Sequence, residues 1–175
     1  VLLYNSIMLV EINSIYDFIS LFSLFINIYF VFSFDVILIL GLVICIVVHL
    51  IIKNITTGWY PPIFKRPDGA NNCDLFNKGG LVDKNSGFPS GHVTVVSFFM
   101  ETLLLRNNTH GLLNTLYYNI PTILVGFARI QKGCHNLIQV IAGYLLGYYV
   151  ANRLHNNESK IKKYINETFP SLFSN

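Results

Sequence analysis

Three short stretches of this sequence gather side chains that bind an oxyanion and move a proton. The first is Gly87-Phe88-Pro89-Ser90-Gly91-His92. Pro89 is preorganised for a helix start and gives up no N–H that the helix needs. Ser90 is a good N-cap, and Gly91 lets the backbone come close to a ligand. The first N–H groups of a helix make a ready anion site. His92, one step inside it, is placed to donate a proton to a phosphate ester oxygen. The same residues also read as an ordinary Ser-capped helix start.

The second stretch is Arg129, then His135 after a turn containing Gly133, then Gln139. Arginine presents a fixed fork of donors that suits phosphate oxygens. His135 and Gln139 are four apart and share one helix face. The Gln139 amide oxygen can accept the Nδ1–H of His135, which leaves Nε2 unprotonated and able to attack phosphorus. The alternative for this pair is packing inside a bundle. The third stretch, Lys65-Arg66-Pro67, opens a loop of about twenty residues, a length that is usually functional or disordered. Arg66 there reads as a second phosphate clamp, or as part of a basic loop at a headgroup layer.

The elements that must carry these residues are apolar. The chain has 175 residues, 53% hydrophobic, 14% aromatic and only 12% charged, with a net charge of +3. Mean hydropathy is +0.51. A soluble domain carries about 25% charged residues. The composition therefore excludes a soluble enzyme, a nucleic-acid binder and a disordered regulator, and the length fits one domain. A spanning helix needs about 20 mainly apolar residues. Residues 15–32, 36–52, 89–105, 112–127 and 135–154 qualify, while 1–10 is too short to span alone. The start of the chain has no basic n-region or small-residue cleavage site and is not read as a signal peptide.

Alternating crossings then put Lys53, Lys65, Arg66, Ser90, His92, Arg129 and His135 at one membrane face. Ionisable groups there are costly and usually functional. The expected architecture is all-α, a polytopic membrane bundle of five to six helices with its site at one face. Residues 1–154 form the membrane-embedded domain, with its core at 36–154, and 155–175 form a polar tail. Trp59, Tyr60, Tyr148 and Tyr149 fit interfacial belts. Gly143 and Gly147 read as a close helix contact, and Glu101 as an interhelical polar contact or a snorkelling acid. Cys45 reads as a small core or lipid-facing residue. Cys73 and Cys134 fall on one face, where a disulfide and two free thiols are both open. No spacing fits a metal site.

R-P, P-S-G-H and R-x-x-x-x-x-H, in this order and placement, resemble the type 2 phosphatidic acid phosphatase/haloperoxidase superfamily. The resemblance runs from about Lys53 to Gly147. It implies about six membrane helices and hydrolysis of phosphate esters through a phosphohistidine, without metal or other cofactor. Carried over, His135 is the nucleophile and His92 protonates the leaving group. Arg66, Arg129, Ser90 and Gly91 hold the phosphate.

The sequence departs from the pattern at three places. Trp59 stands where the family has a Lys seven positions before the Arg of R-P, which leaves Lys53 and Lys65 as candidates. Ala128 replaces a Ser beside Arg129. Gln139 replaces an Asp that orients the nucleophile. His135-Asn136-Leu137-Ile138-Gln139-Val140 is similar to the dolichyldiphosphatase branch, where Gln is common, although that branch often has Ser at the position of Gly91.

The resemblance thus implies a membrane lipid phosphatase acting on phosphatidic acid or a polyprenyl or dolichyl diphosphate. The alternatives are a weak or inactive relative that binds lipid phosphates, and a structural or channel-like protein. A haloperoxidase would be soluble. The expected partners are a lipid phosphate and the bilayer, with no nucleic acid. No oligomeric state is set. Lys160, Lys162 and Lys163 on the opposite side favour a cytoplasmic tail and a site facing a lumen or the exterior.

Overall fold

A computed structural model describes residues 14–33, 35–58, 61, 63–108 and 111–169. The stretch 1–10, Trp59, Tyr60 and residues 170–175 lie outside them. The elements are helices: α1 (Ile15–Ser20), α2 (Phe22–Ser33), α3 (Val36–Thr56), α4 (Gly91–Arg106), α5 (Leu112–Gln131) and α6 (Leu137–Thr168). Local chemistry sets several starts. Ser14 caps α1 by accepting from the Asp17 N–H. Asp35 caps α3 by accepting from the N–H groups of Ile37 and Leu38 at 3.0 and 3.1 Å. Asn136 and Gln139 form a capping box at the start of α6.

α3 and α5 each run about one turn past the expected spans, to Thr56 and Gln131, and two boundaries differ more. The first segment, read as one helix over 15–32, breaks at Leu21 between α1 and α2. The last does not stop at Leu154 but runs on to Thr168. Its polar residues there lie on a helix whose inner face still packs, with Ile161 against the core. The polar composition of 155–168 hid that continuity.

α4 is the central rod, and most of its residues are buried, Val93, Val96 and Phe98 among them. It packs against α6, α5, α3 and α2. The contact with α6 is closest, because a Cβ at Gly147 would meet the Thr94 carbonyl oxygen. A Cβ at Gly143 would lie 2.6 Å from that of Ser90. Between them, Ser97 Oγ donates to the Tyr144 carbonyl at 2.9 Å, and Asn152 Nδ2 donates to Glu101 at 3.1 Å. Glu101 is thus an interhelical contact.

The outward faces are apolar: Val43, Val47 and Ile51 of α3, Leu116, Ile120 and Ile123 of α5, and Ile138, Ile141 and Leu145 of α6 are exposed. Among the described residues, α3 alone is long and apolar enough by itself to cross a membrane.

The two ends of the bundle differ. At one end Arg106 bonds Asp35 at 2.6 Å and Glu158 at 3.5 Å. At the other, the connection between α3 and α4 folds over the end of α3, the start of α4 and the α5–α6 turn. Isolated β-bridges, Lys65 with Ser86 and Asn71 with Leu81, pin it. A Cys73–Cys134 disulfide ties it to the α5–α6 turn, closing the alternative left by the sequence. Lys132 pairs with Asp17, and Asn77 joins both, which fastens α1 to the same end.

Candidate active site

At the disulfide-tied end, a cavity of about 450 Å³ is lined by residues that include His49, Lys53, Arg66, Gly91, His92 and His135. Four helix termini and one loop supply the candidate residues at this end of the bundle. Lys53 comes from the last turn of α3 and Arg66 from the loop. Ser90, Gly91 and His92 open α4, Arg129 closes α5, and His135 sits in the turn before α6.

Each arginine is fixed by one main-chain carbonyl. Arg129 Nη2 donates to the Cys73 carbonyl at 2.6 Å, and Arg66 Nη1 donates to the Cys134 carbonyl at 2.9 Å. Arg129 is fully buried, yet its Nε and Nη1 have no partner. The same holds for Arg66 Nε, Ser90 Oγ and His92 Nε2. Buried donors left unmade are costly, and each needs a reason. Two of these residues, Arg66 and His92, line the cavity, where an anion would give an unpaired donor its partner. Ser90 is the N-cap of α4 as expected, but its hydroxyl makes no cap bond. That hydroxyl is one of the unpaired groups instead.

His135 is oriented as the i, i+4 spacing predicts. Its Nδ1 lies 3.1 Å from Gln139 Oε1. The Gln139 Nε2 donates to the carbonyls of Ile63 at 3.0 Å and Lys65 at 2.5 Å, so its oxygen faces the ring. Nδ1 of His135 must then carry the proton, and Nε2 holds the lone pair. Burial, with Arg129, Arg66 and Lys53 nearby, holds this imidazole well below its usual pKa, against the hydrogen bond to Gln139. The ring is therefore neutral near pH 7. Burial likewise pushes the Arg66 guanidinium down. A Cβ at Gly87 would strike Gln139 Oε1, so glycine is what lets the loop pass there.

The two lysine candidates separate. Lys53 lines the cavity. Lys65 has an exposed side chain beside a second pocket shared with Asp68, Asp83 and Lys84, and only its carbonyl reaches the site, through Gln139. Asp74 lines the cavity but is engaged with the N–H groups of Phe76 and Lys78. Sequence reasoning missed His49. Its one signal was a place four residues before Lys53, on the same face of α3.

A model of the PAP2 superfamily matches residues 34–163, about three quarters of the chain. This chain belongs to the PAP2 superfamily. It is also similar to an undecaprenyl-diphosphatase of Sulfolobus acidocaldarius, 36% identical over 64 residues, which is 37% of this chain and 30% of that protein. The chain thus spans under a third of the length of that relative. No solved structure matches it. Membership makes it a relative of lipid phosphate phosphatases.

Proposed function

We propose that this chain is an integral-membrane lipid phosphatase that hydrolyses a lipid phosphate or diphosphate through a phosphohistidine on His135. The observation that carries the reading is His135, held in one tautomer at the cavity, with the unpaired Arg66 Nε, Arg129 Nε and Nη1, Ser90 Oγ and His92 Nε2 gathered at the same end of the bundle. In the forward step His135 Nε2 attacks phosphorus, the P–O bond to the lipid breaks, and His92 protonates the leaving oxygen. Water then attacks phosphorus and gives a proton back to His92, and the P–N bond breaks, which frees His135 Nε2 and releases phosphate. Arg66, Arg129, Lys53, Ser90 and the Gly91 N–H hold the charge. No step calls on a metal.

A multi-pass placement in the bilayer is part of the proposal. The site and the Arg106–Asp35–Glu158 cluster lie at opposite ends of the bundle. From Leu137 to Glu158, α6 rises by about 32 Å, close to the roughly 30 Å hydrocarbon core of a membrane. The apolar outward faces lie between these ends. Disulfides persist in oxidising compartments, so the Cys73–Cys134 bridge supports a site on the lumenal or exterior face, with Lys160, Lys162 and Lys163 cytoplasmic.

Phosphate release by detergent-purified protein in excess EDTA tests the chemistry. Phosphatidic acid and a polyprenyl diphosphate are offered separately, with His135→Ala as control. Release that survives EDTA and vanishes in the variant is expected. One feature favours a second reading, a relative that binds lipid phosphates without turnover: Gln139 is neutral and cannot balance an imidazolium as a carboxylate does. Folded protein that binds both lipids and releases phosphate from neither decides for it.

A further inference from the structure

The geometry points to His49 as the residue that binds the phosphate departing with the lipid, so that it selects lipid diphosphates over monophosphates. This rests on the phosphatase reading above and adds a substrate class to it.

Two helices touch the first turn of α4. On one side, α6 approaches it: the Ser90 N–H donates to the Gln139 carbonyl at 3.0 Å, and Gly143 lies against the Ser90 carbonyl. His135 is attached on that side through Gln139. From a second direction, α3 lays the imidazole of His49 on Gly91. A Cβ at Gly91 would sit 3.0 Å from His49 Nε2, 3.3 Å from Cδ2 and 3.4 Å from Cε1. The two imidazoles therefore reach the start of α4 from different helices and line one cavity.

Phosphoryl transfer places the entering and leaving atoms roughly in line across phosphorus. The leaving group therefore departs away from His135, toward the wall of the cavity that takes the lipid. The α3 part of the cavity is that wall, since it carries Ile46 and Leu50, and Val95 of α4 lines the cavity as well. That apolar wall suits a lipid chain. His49 lies at this wall one helical turn from Lys53, and both line the cavity.

A monophosphate leaves as an alcohol, which needs only the proton from His92. A diphosphate leaves as a lipid monophosphate: His135 Nε2 bonds to the terminal phosphorus, the bond from that phosphorus to the bridging oxygen breaks, and the electron pair stays on that oxygen. The departing group then carries charge at the α3 side. An N–H of His49 meets it there, beside the Lys53 ammonium.

The test uses the full chain purified in detergent, with farnesyl diphosphate and dioleoyl phosphatidic acid as substrates. The ratio of kcat/KM for the first over the second is measured for wild type, His49→Ala and His49→Gln. The ratio is expected to fall about tenfold in His49→Ala, the size of one hydrogen bond to a charged group, and to recover in part in His49→Gln, whose amide keeps a donor. A fall smaller than threefold overturns the proposal.

Binding of inorganic diphosphate and of phosphate, followed by titration calorimetry, gives a readout free of turnover. Wild type and His135→Ala are expected to prefer the diphosphate, and both His49 variants to show that preference reduced. A preference that survives intact in His49→Ala overturns the proposal. A preference present in wild type that turns over neither lipid counts against the phosphatase reading and leaves the role of His49 standing.

Discussion

The Oε1 of Gln139 faces the Nδ1 of His135 at 3.1 Å, and the amide that carries it cannot turn round without facing its oxygen to the Ile63 and Lys65 carbonyls. The neutral side chain thus fixes the tautomer through its acceptor and its own orientation through its donors. A carboxylate has only the first capacity. Gln139→Ala is expected to lower kcat by about 10² or more, below the roughly 10⁴ loss seen when a protease triad Asp becomes an amide in the wrong tautomer. Gln139→Glu is expected to lower kcat as well, since it sets a charge against two carbonyl oxygens. Phosphate release at saturating lipid measures both, and a Glu variant faster than wild type would contradict this account.

Both half-cystine carbonyls receive a site arginine, Cys73 from Arg129 and Cys134 from Arg66. Closing a loop with a sequence separation of 61 is worth about 4 kcal/mol in the chain-entropy estimate. The paired Cys73→Ser and Cys134→Ser variant is expected to melt at a lower temperature. It is also expected to lose most turnover at a temperature where it is still folded, because both clamps lose their anchor. Thermal melts read beside phosphate release separate the two effects. Full turnover in the folded variant would show that the carbonyls hold their places without the bridge.

Lysine scanning should split the first motif. Lys53→Ala is expected to reduce kcat/KM by about 10- to 100-fold, the scale of a hydrogen bond between charged groups. Lys65→Ala keeps the carbonyl that Gln139 uses and is expected to stay within about twofold, as surface charges usually do. Equal losses would mean that the Lys65 side chain reaches the phosphate.

At the far end of the bundle, burial raises the Asp35 carboxyl, but Arg106 and the N–H groups of Leu38 and Ile37 outweigh it and hold it below 3.8. A depressed carboxyl contributes stability that is complete above its unfolded value and lost as pH falls through the folded one. Melting temperature should therefore fall on this account only below about pH 3.8. Asp35→Ala removes a cap and an ion pair and is expected to cost about 1–2 kcal/mol at pH 7. Asp35→Asn keeps the cap and is expected to lose less. Melts of the three proteins across pH 3–7 check the sign.

The local part of the site was legible in the sequence. His135 and Gln139 are joined by helix periodicity, and Ser90, Gly91 and His92 by the start of one helix. Spacing alone carries such relations. Long-range relations were not legible in the same way. The Cys73–Cys134 pairing and the Asp17–Lys132 pair depend on how the connection between α3 and α4 folds back. His49 was a single histidine in an apolar run, and only the approach of α4 gives it a place. Between the lysines, Lys65 is next to Arg66 in sequence, yet Lys53 is the one at the cavity, because a side chain beside Arg66 points away from it.

At Gly143 and Gly147, α6 comes directly against the main chain of α4 at Ser90, Thr94 and Phe98, with only the small side chains of Thr94 and Ser97 beside it. The distance between the turn that bears His135 and the helix that bears His92 is therefore measured out in peptide groups and owes little to the rotamers of bulky neighbours. The outward residues of the same helices take no part in that distance. They are free to be rewritten from one lipid environment to another, by evolution or by design, while the reacting groups keep their spacing.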